Sequence, residues 1–282
     1  MNQLRVASVS LELISDASVR DLITRIDDVI SPIQADVIVL PEFLSFSLAP
    51  HTDAEDLTPQ QVLDLSIHSL HIQEYFAAKA TEMDCAILGG SLPVLYDHKI
   101  KNIATLYFPD GSQLSHAKTH LFPGEHAYGI AEGDTVEVIT FRGFAMSIAI
   151  CYEVEIPEVI TAHKNRGTDL LLVPSFTSSP AGAHRVHKCA AARAIENQIF
   201  VACAPATGTM PDPVGPAFGS ACVLSPCDIG FPDDGILAIG TPNQTAIALA
   251  TIDLETLQTA RREGNAITVS DRARRAGLYP TL

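Results

Sequence analysis

The chain has 282 residues, 47% of them hydrophobic and 18% charged, which is enough apolar content to bury a substantial core. Its formal net charge of −15 sets up a potential that repels phosphate backbones and anionic lipid surfaces, so neither nucleic acid nor membrane is an expected partner. No run reaches the roughly 18 continuous apolar residues of a spanning helix, and the first nine residues lack the apolar core of a secretory leader, which points to a cytoplasmic protein.

Apolar residues across Leu4–Leu13 predict a first strand, with Ser15 and Asp16 as candidate caps of a helix running to about Ile30. Asp36-Val37-Ile38-Val39-Leu40 reads as a buried strand ending at Pro41-Glu42. Thr58-Pro59 opens a second helix reaching about Glu82, and Cys85–Leu88 make a strand closed by Gly89-Gly90. Ser91–Thr119 change to a meander with turns at Asp97-His98-Lys99 and Asp110-Gly111. A loop of Pro, Gly and His follows from His120 to Asp134. Val136–Phe141 and Phe144–Ile150 then form a hairpin about Arg142-Gly143 whose second strand runs into Cys151.

A helix over Pro157–Asn165 precedes Asp169–Ser175, which repeats the apolar-strand-then-proline pattern of Asp36–Glu42 and implies two similar halves. A helix over Ala183–Glu196, strands at Ile199–Ala204, Phe218–Leu224 and Ala246–Ile252, and a short helix near Leu254–Arg261 complete the body. No interior stretch reads as a linker, so one domain over residues 1–262 is expected, with a tail over 263–282. The basic run of Arg261, Arg262, Arg272, Arg274 and Arg275 reads as a solvated face or an interface.

The six cysteines contain no Cys-x-x-Cys pair and no Cys/His cluster of zinc spacing, so neither a metal nor another cofactor is expected. Most sit in apolar runs, where a free thiol acts as a small core hydrophobe in a reducing compartment. Glu42 is different from an ordinary loop glutamate in one respect: it follows five apolar strand residues, where a rigid sheet aims side chains into a crevice. Cys151 ends Met146–Ile150 in the same way, and the backbone N–H groups after such a bend can face a reacting carbonyl oxygen. The competing reading is a structural buried thiol. Lys118 and Glu125 bracket Lys118-Thr119-His120-Leu121-Phe122-Pro123-Gly124-Glu125, where a pocket lysine could face an oxyanion or merely sit on the surface. His120 raises a thiol–imidazole pair as an alternative scheme.

Together these segments resemble the nitrilase superfamily, the carbon-nitrogen hydrolases, whose signature is Glu, Lys and Cys in that order with a second Glu. The matches are Ala35–Glu42, Lys118–Glu125 and Ile150–Glu158, with Leu88–Ser91, Asn102, Phe108–Gly111, Val173–Ser175 and Ala192–Asn197 in support. Lys118–Glu125, Phe231–Gly235 and Thr241–Asn243 are similar to a branch whose members sometimes carry a fused acetyltransferase domain. Glu153 stands where many relatives have Asp. The resemblance implies an α/β fold, a four-layer α-β-β-α sandwich, and a catalytic tetrad of Glu42, Lys118, Glu125 and Cys151. It implies hydrolysis of a non-peptide carbon-nitrogen bond in a small amide through a cysteine thioester. The Tyr152 backbone N–H would help hold the oxyanion, and Phe43, Tyr128, Phe176 and His184 are candidate pocket walls. Nitrile or carbamoyl-amine hydrolysis, acyl transfer and a non-catalytic binding role on the same fold are the alternatives. Relatives assemble through the helix after the nucleophile and through terminal extensions, which implies a homodimer or larger with the tail in the interface.

Overall fold

The computed structural model describes residues 2–54 and 56–279. Strand β1 (Gln3–Glu12) leads into helix α1 (Val19–Ile30), which buries Leu22, Ile26 and Ile30 at a spacing of four on one face. The cap of α1 falls at Ser18, whose hydroxyl accepts from the Asp21 N–H, and not at Ser15 or Asp16. Asp16 is engaged by the Arg25 guanidinium at 2.6 Å. After the short buried strand β2 (Val37–Val39), the single helix expected to Glu82 is two: α2 (Pro59–Ser66) and α3 (Ser69–Glu82). The meander is β3 (Ala86–Tyr96), β4 (Lys99–Tyr107) and β5 (Gln113–Ala117), and α4 (Pro123–Ala127) sits inside the stretch read as loop.

The second half runs β6 (Ile139–Phe141), β7 (Phe144–Ile148), α5 (Pro157–Asn165), β8 (Leu170–Ser175), α6 (Pro180–Asn197) and β9 (Phe200–Thr209). It closes with β10 (Pro216–Ala217), β11 (Cys222–Leu224), β12 (Ile236–Ile239), β13 (Ala246–Asp253), α7 (Leu254–Glu263) and α8 (Thr268–Arg274). The expected tail therefore contains α8, whose Arg272 reaches the Asn197 side-chain oxygen on α6 at 3.0 Å; residues 280–282 lie outside the described residues. Among the described residues no helix is long and apolar enough to cross a membrane.

Strands β1, β2 and β3 are parallel neighbours, flanked by antiparallel β4 and β5 on one side and β13 on the other. Strands β7, β8 and β9 are likewise parallel, flanked by β6 and by β11 and β12. The two similar halves read from the sequence are these two β-α-β-α-β units. The sheets join where the end of β1 pairs with β9, Leu11 opposite Ala206 and Glu12 opposite Thr207. Period-two alternation sorts the side chains. Val37 and Val39 point into the core shared with β7, β8 and β9, while Ile38 and Leu40 point outward against Leu22 and Ile26 of α1 and Ile72 and Phe76 of α3. Helices α5 and α6 cover the far sheet with Ile160, Val186, Ala190 and Ala194. The result is the expected four-layer α-β-β-α sandwich, with β2, β7 and β8 all ending at one edge.

Strand β3 does not close at its glycine pair; it continues to Tyr96 through a register shift between Leu88 and Ser91. Gly90 has φ +66°, and a Cβ there would stand 2.0 Å from the Pro41 carbonyl oxygen. That close approach lets the Ser91 N–H donate to the Pro41 carbonyl and the Ser91 hydroxyl accept from the Phe43 N–H, which pins both neighbours of Glu42. Gly90→Ala combines a left-handed backbone with a backbone clash. It is expected to destabilise the protein by at least about 2 kcal/mol, read as a lower urea midpoint. Unchanged stability would contradict this account of the bulge.

Candidate active site

Glu42 stands just past β2 and is buried. The next residue, Phe43, has φ +57° and turns the chain into a 3₁₀ segment over Leu44–Leu48. Lys118 follows β5, its backbone held by the Asn102 carbonyl at 2.9 Å on one side and by the Gly133 N–H at 2.7 Å on the other. Glu125 is carried by α4. Pro123 occupies the first helical turn, where its missing N–H costs nothing, and the Glu125 carboxylate accepts from the Phe122 N–H at 2.8 Å. That side-chain cap by Glu125 explains why a Pro/Gly/His stretch becomes a short helix.

These three side chains meet. Lys118 Nζ donates to Glu42 Oε1 at 2.9 Å and to Glu125 Oε2 at 2.5 Å, and all three are almost fully buried. Asn102, from the interior-facing side of β4, completes the set: its amide nitrogen donates to Glu42 Oε1 at 2.9 Å and to Glu125 Oε1 at 3.0 Å. The second Glu42 oxygen accepts the Phe176 N–H at 2.8 Å. Asn102 was legible only as a polar match within a strand, without a role.

Cys151 comes from the other half of the sandwich. It follows β7 at φ +47°, a conformation that a non-glycine residue adopts only when its surroundings impose it, and it heads a 3₁₀ turn rather than an α-helix. Its thiol is enclosed, at 6% exposure, and donates to the Phe176 carbonyl at 3.4 Å. The bend does not leave it on the open surface, because the cavity it faces is roofed by other loops.

Burial raises the Glu42 carboxyl above the ordinary carboxylate value; Glu125 adds to the rise, while Lys118 and a hydrogen bond with Cys151 pull it back. Burial pushes the Cys151 thiol well up, and Glu42 pushes it further. For Lys118 burial alone would lower the value, but Glu42 and Glu125 more than offset it and hold the ammonium well above its usual range. The site therefore rests with a neutral thiol, a locked cation and a carboxylate of raised proton affinity beside it.

The four side chains border a cavity of about 340 Å³ that also takes in Phe43, Phe46, Tyr128, Tyr152 and Phe176. Phe43 and Phe46 are stacked with centroids 4.2 Å apart, and Phe176 meets both edge-on. Glu155, Arg185, Asp56 and the 212–216 segment, none of them foreseen, also line it. One expectation fails, and the alternative through His120 finds no support. His184 does not line this cavity: it lies with His187, Phe218 and Pro242 at a separate groove, because the face of α6 that reaches the site carries Gly182 and Arg185. His120 does not line it either, and its Nδ1 pairs with the Thr119 hydroxyl at 2.9 Å.

A family model described as carbon-nitrogen hydrolase matches residues 5–262. The chain belongs to the carbon-nitrogen hydrolase family. It is 30% identical over 252 residues to the probable hydrolase YhcX of Bacillus subtilis (strain 168), covering 88% of this chain and 48% of that protein, so it spans about half the length of that relative. It is also 30% identical over 242 residues to the omega-amidase YafV of Yersinia enterocolitica, covering 85% and 86% of the two chains. Among solved structures it is similar to a mutant of the amidase from Nesterenkonia sp. AN1 showing covalent addition of the acetamide moiety of fluoroacetamide at the active site cysteine. There the TM-score is 0.72 at 22% identity, with 92% of this chain and 94% of that one covered.

Asn102→Leu leaves both buried carboxylates short of a donor. It is expected to cost about 1–3 kcal/mol of unfolding free energy by urea denaturation, with an unchanged m-value. A neutral substitution would mean that the amide bridge contributes nothing.

Proposed function

We propose that this carbon-nitrogen hydrolase is an amidase that cleaves a small amide through a thioester on Cys151. The observation that carries the reading is the convergence of the Cys151 bend and the buried Glu42–Lys118–Glu125 group on one cavity. The Nesterenkonia amidase, with its cysteine adduct, and the omega-amidase relative support it.

In this reading Glu42 takes the Cys151 proton as the sulfur attacks the amide carbon, and the developing oxyanion is held by Lys118 Nζ and the Tyr152 backbone N–H. Collapse of the tetrahedral species breaks the carbon-nitrogen bond, with Glu42 returning its proton to the departing ammonia or amine. Glu42 then deprotonates the water that hydrolyses the thioester, and the thiol recovers its proton. Glu125 and Asn102 touch neither sulfur nor carbon; they keep Lys118 and Glu42 in register. Aromatic walls suit a small acyl group with an apolar part.

The resemblance to the branch with occasional acetyltransferase fusions belongs to this proposal, and it concerns ancestry. So does the placing of one hydrolase domain over residues 1–262, with the tail in a homo-oligomer interface. A nucleophile that must stay a free thiol suits a reducing compartment such as the cytoplasm. Light scattering at micromolar concentration should return a dimer or larger; a monomer would remove the interface assignment.

Incubation with a panel of small amides, nitriles and carbamoyl-amines, followed by intact mass, is expected to show an acyl adduct on Cys151 from amides and none in Cys151→Ala. Adducts in that variant would overturn the assignment of the nucleophile, and turnover of nitriles alone would replace amide by nitrile. The pH dependence follows from Glu42. It accepts a proton only when ionised, and its pKa is raised, so kcat/KM should fall as pH drops through a value above the ordinary 4.5. Glu125→Gln removes a charge that raises Glu42 and should move this acid limb to lower pH. Lys118, held up by both carboxylates, should contribute no alkaline limb below its ordinary 10.5.

A further inference from the structure

Two residues past the nucleophile, Glu153 is fully buried and does not border the cavity. Its carboxylate nevertheless gathers donors from two separate segments, residues 116–119 and Ile150. The Ile150 N–H reaches Oε2 at 2.6 Å, the Thr119 N–H reaches Oε1 at 2.8 Å, and the Thr119 hydroxyl donates to the same oxygen. The fourth donor is His116, buried on β5, whose Nε2 lies 2.9 Å from Oε2. Ile150 directly precedes Cys151, and Thr119 directly follows Lys118. One carboxylate therefore joins the N–H of the residue before the nucleophile to the N–H of the residue after the cation.

We infer that Glu153 and His116 are a positioning pair that sets the spacing between Cys151 and Lys118 for the reaction proposed above, on which this inference rests. Four donors fill the acceptor capacity of one carboxylate, so neither segment can shift without breaking a charge-assisted bond in a medium that offers no water in exchange. Burial would push Glu153 up, but His116 and the remaining donors pull it down to about 2, so the clamp stays ionised. His116 sits two residues before Lys118 on the same strand face, so the histidine that secures Glu153 and the lysine that meets Glu42 come from one rigid element. Beyond it lies His163, its ring centroid 6.1 Å from that of His116 and its value pushed down to about 3 by burial and by His116, so it adds no competing charge. The consequence is kinetic: misplacing reacting groups by about 1 Å can cost up to about a hundredfold in rate.

The test uses the full chain with Thr119→Val and His116→Phe, each paired with a variant that restores a donor, Thr119→Ser and His116→Gln. Two rates are read per folded molecule: alkylation of Cys151 by iodoacetamide, followed by intact mass, and turnover of an amide accepted by the parent enzyme. Thr119→Val and His116→Phe are expected to slow alkylation and kcat by about tenfold with KM within about twofold, and the donor-restoring variants to recover most of that loss. Thr119→Val reacting at the parental rate, or Thr119→Ser as slow as Thr119→Val, would overturn the inference. If His116→Phe yields no folded protein, the Thr119 pair decides by itself. Alkylation needs no substrate, so a parent enzyme inert to every amide would remove the proposed function while the alkylation rates still decide the positioning role.

Discussion

Two carboxylates and one ammonium sit together almost fully buried, and the rest of the site follows from keeping Glu42, Lys118 and Glu125 there. A buried charge is stable only when paired and when its remaining hydrogen-bonding capacity is filled. Each of the three is therefore met from more than one direction: Asn102 spans both carboxylates, the Phe176 N–H takes the free oxygen of Glu42, and the Phe122 N–H anchors Glu125. No single hairpin or helix supplies all of these partners. The bulge in β3, the end of β5 and the short α4 are consequences of the same demand.

The electrostatics of this arrangement separate the roles of the groups. Glu42 and Cys151 are both raised, so a proton resting on sulfur lies beside a carboxylate of increased basicity. Lys118 is raised too, so it remains a cation through the proposed cycle, in which Glu42 gains and loses charge. In that proposal the means of moving a proton and the means of holding an oxyanion lie in different side chains, which lets both operate at one pH. Glu153 repeats the device behind the nucleophile, with the opposite outcome: abundant donors keep it ionised and inert.

The layers of the sandwich were legible because burial leaves a periodic trace. Leu22, Ile26 and Ile30 announce a helix face, and Val37–Val39 and Leu170–Val173 announce strands covered on both sides. The four residues that border one cavity were legible as well, since Glu42 and Cys151 each end an apolar run and the resemblance tied them to Lys118 and Glu125. Local composition misled where tertiary contacts override it. Gly89-Gly90 read as a strand end, yet those glycines exist to let β3 pass under Phe76 and against Pro41. Pro123-Gly124 read as loop, yet a cap by Glu125 makes a helix of it. His184 read as a pocket wall, and one step of about 100° around α6 carries it to another groove.

The amino-acid order by itself determined the two-fold repeat of strand and helix, because that depends on periodicity and on residues adjacent in the chain; the sandwich and the grouping of four chemical side chains came from the resemblance. Which groups touch was decided only by the tertiary structure. Asn102 lies 60 residues from Glu42, and Glu153 lies 34 from Thr119 and 37 from His116. Hydrogen bonds and desolvation act over a few ångströms of space, and a sequence carries no record of such distances until the sheets have closed.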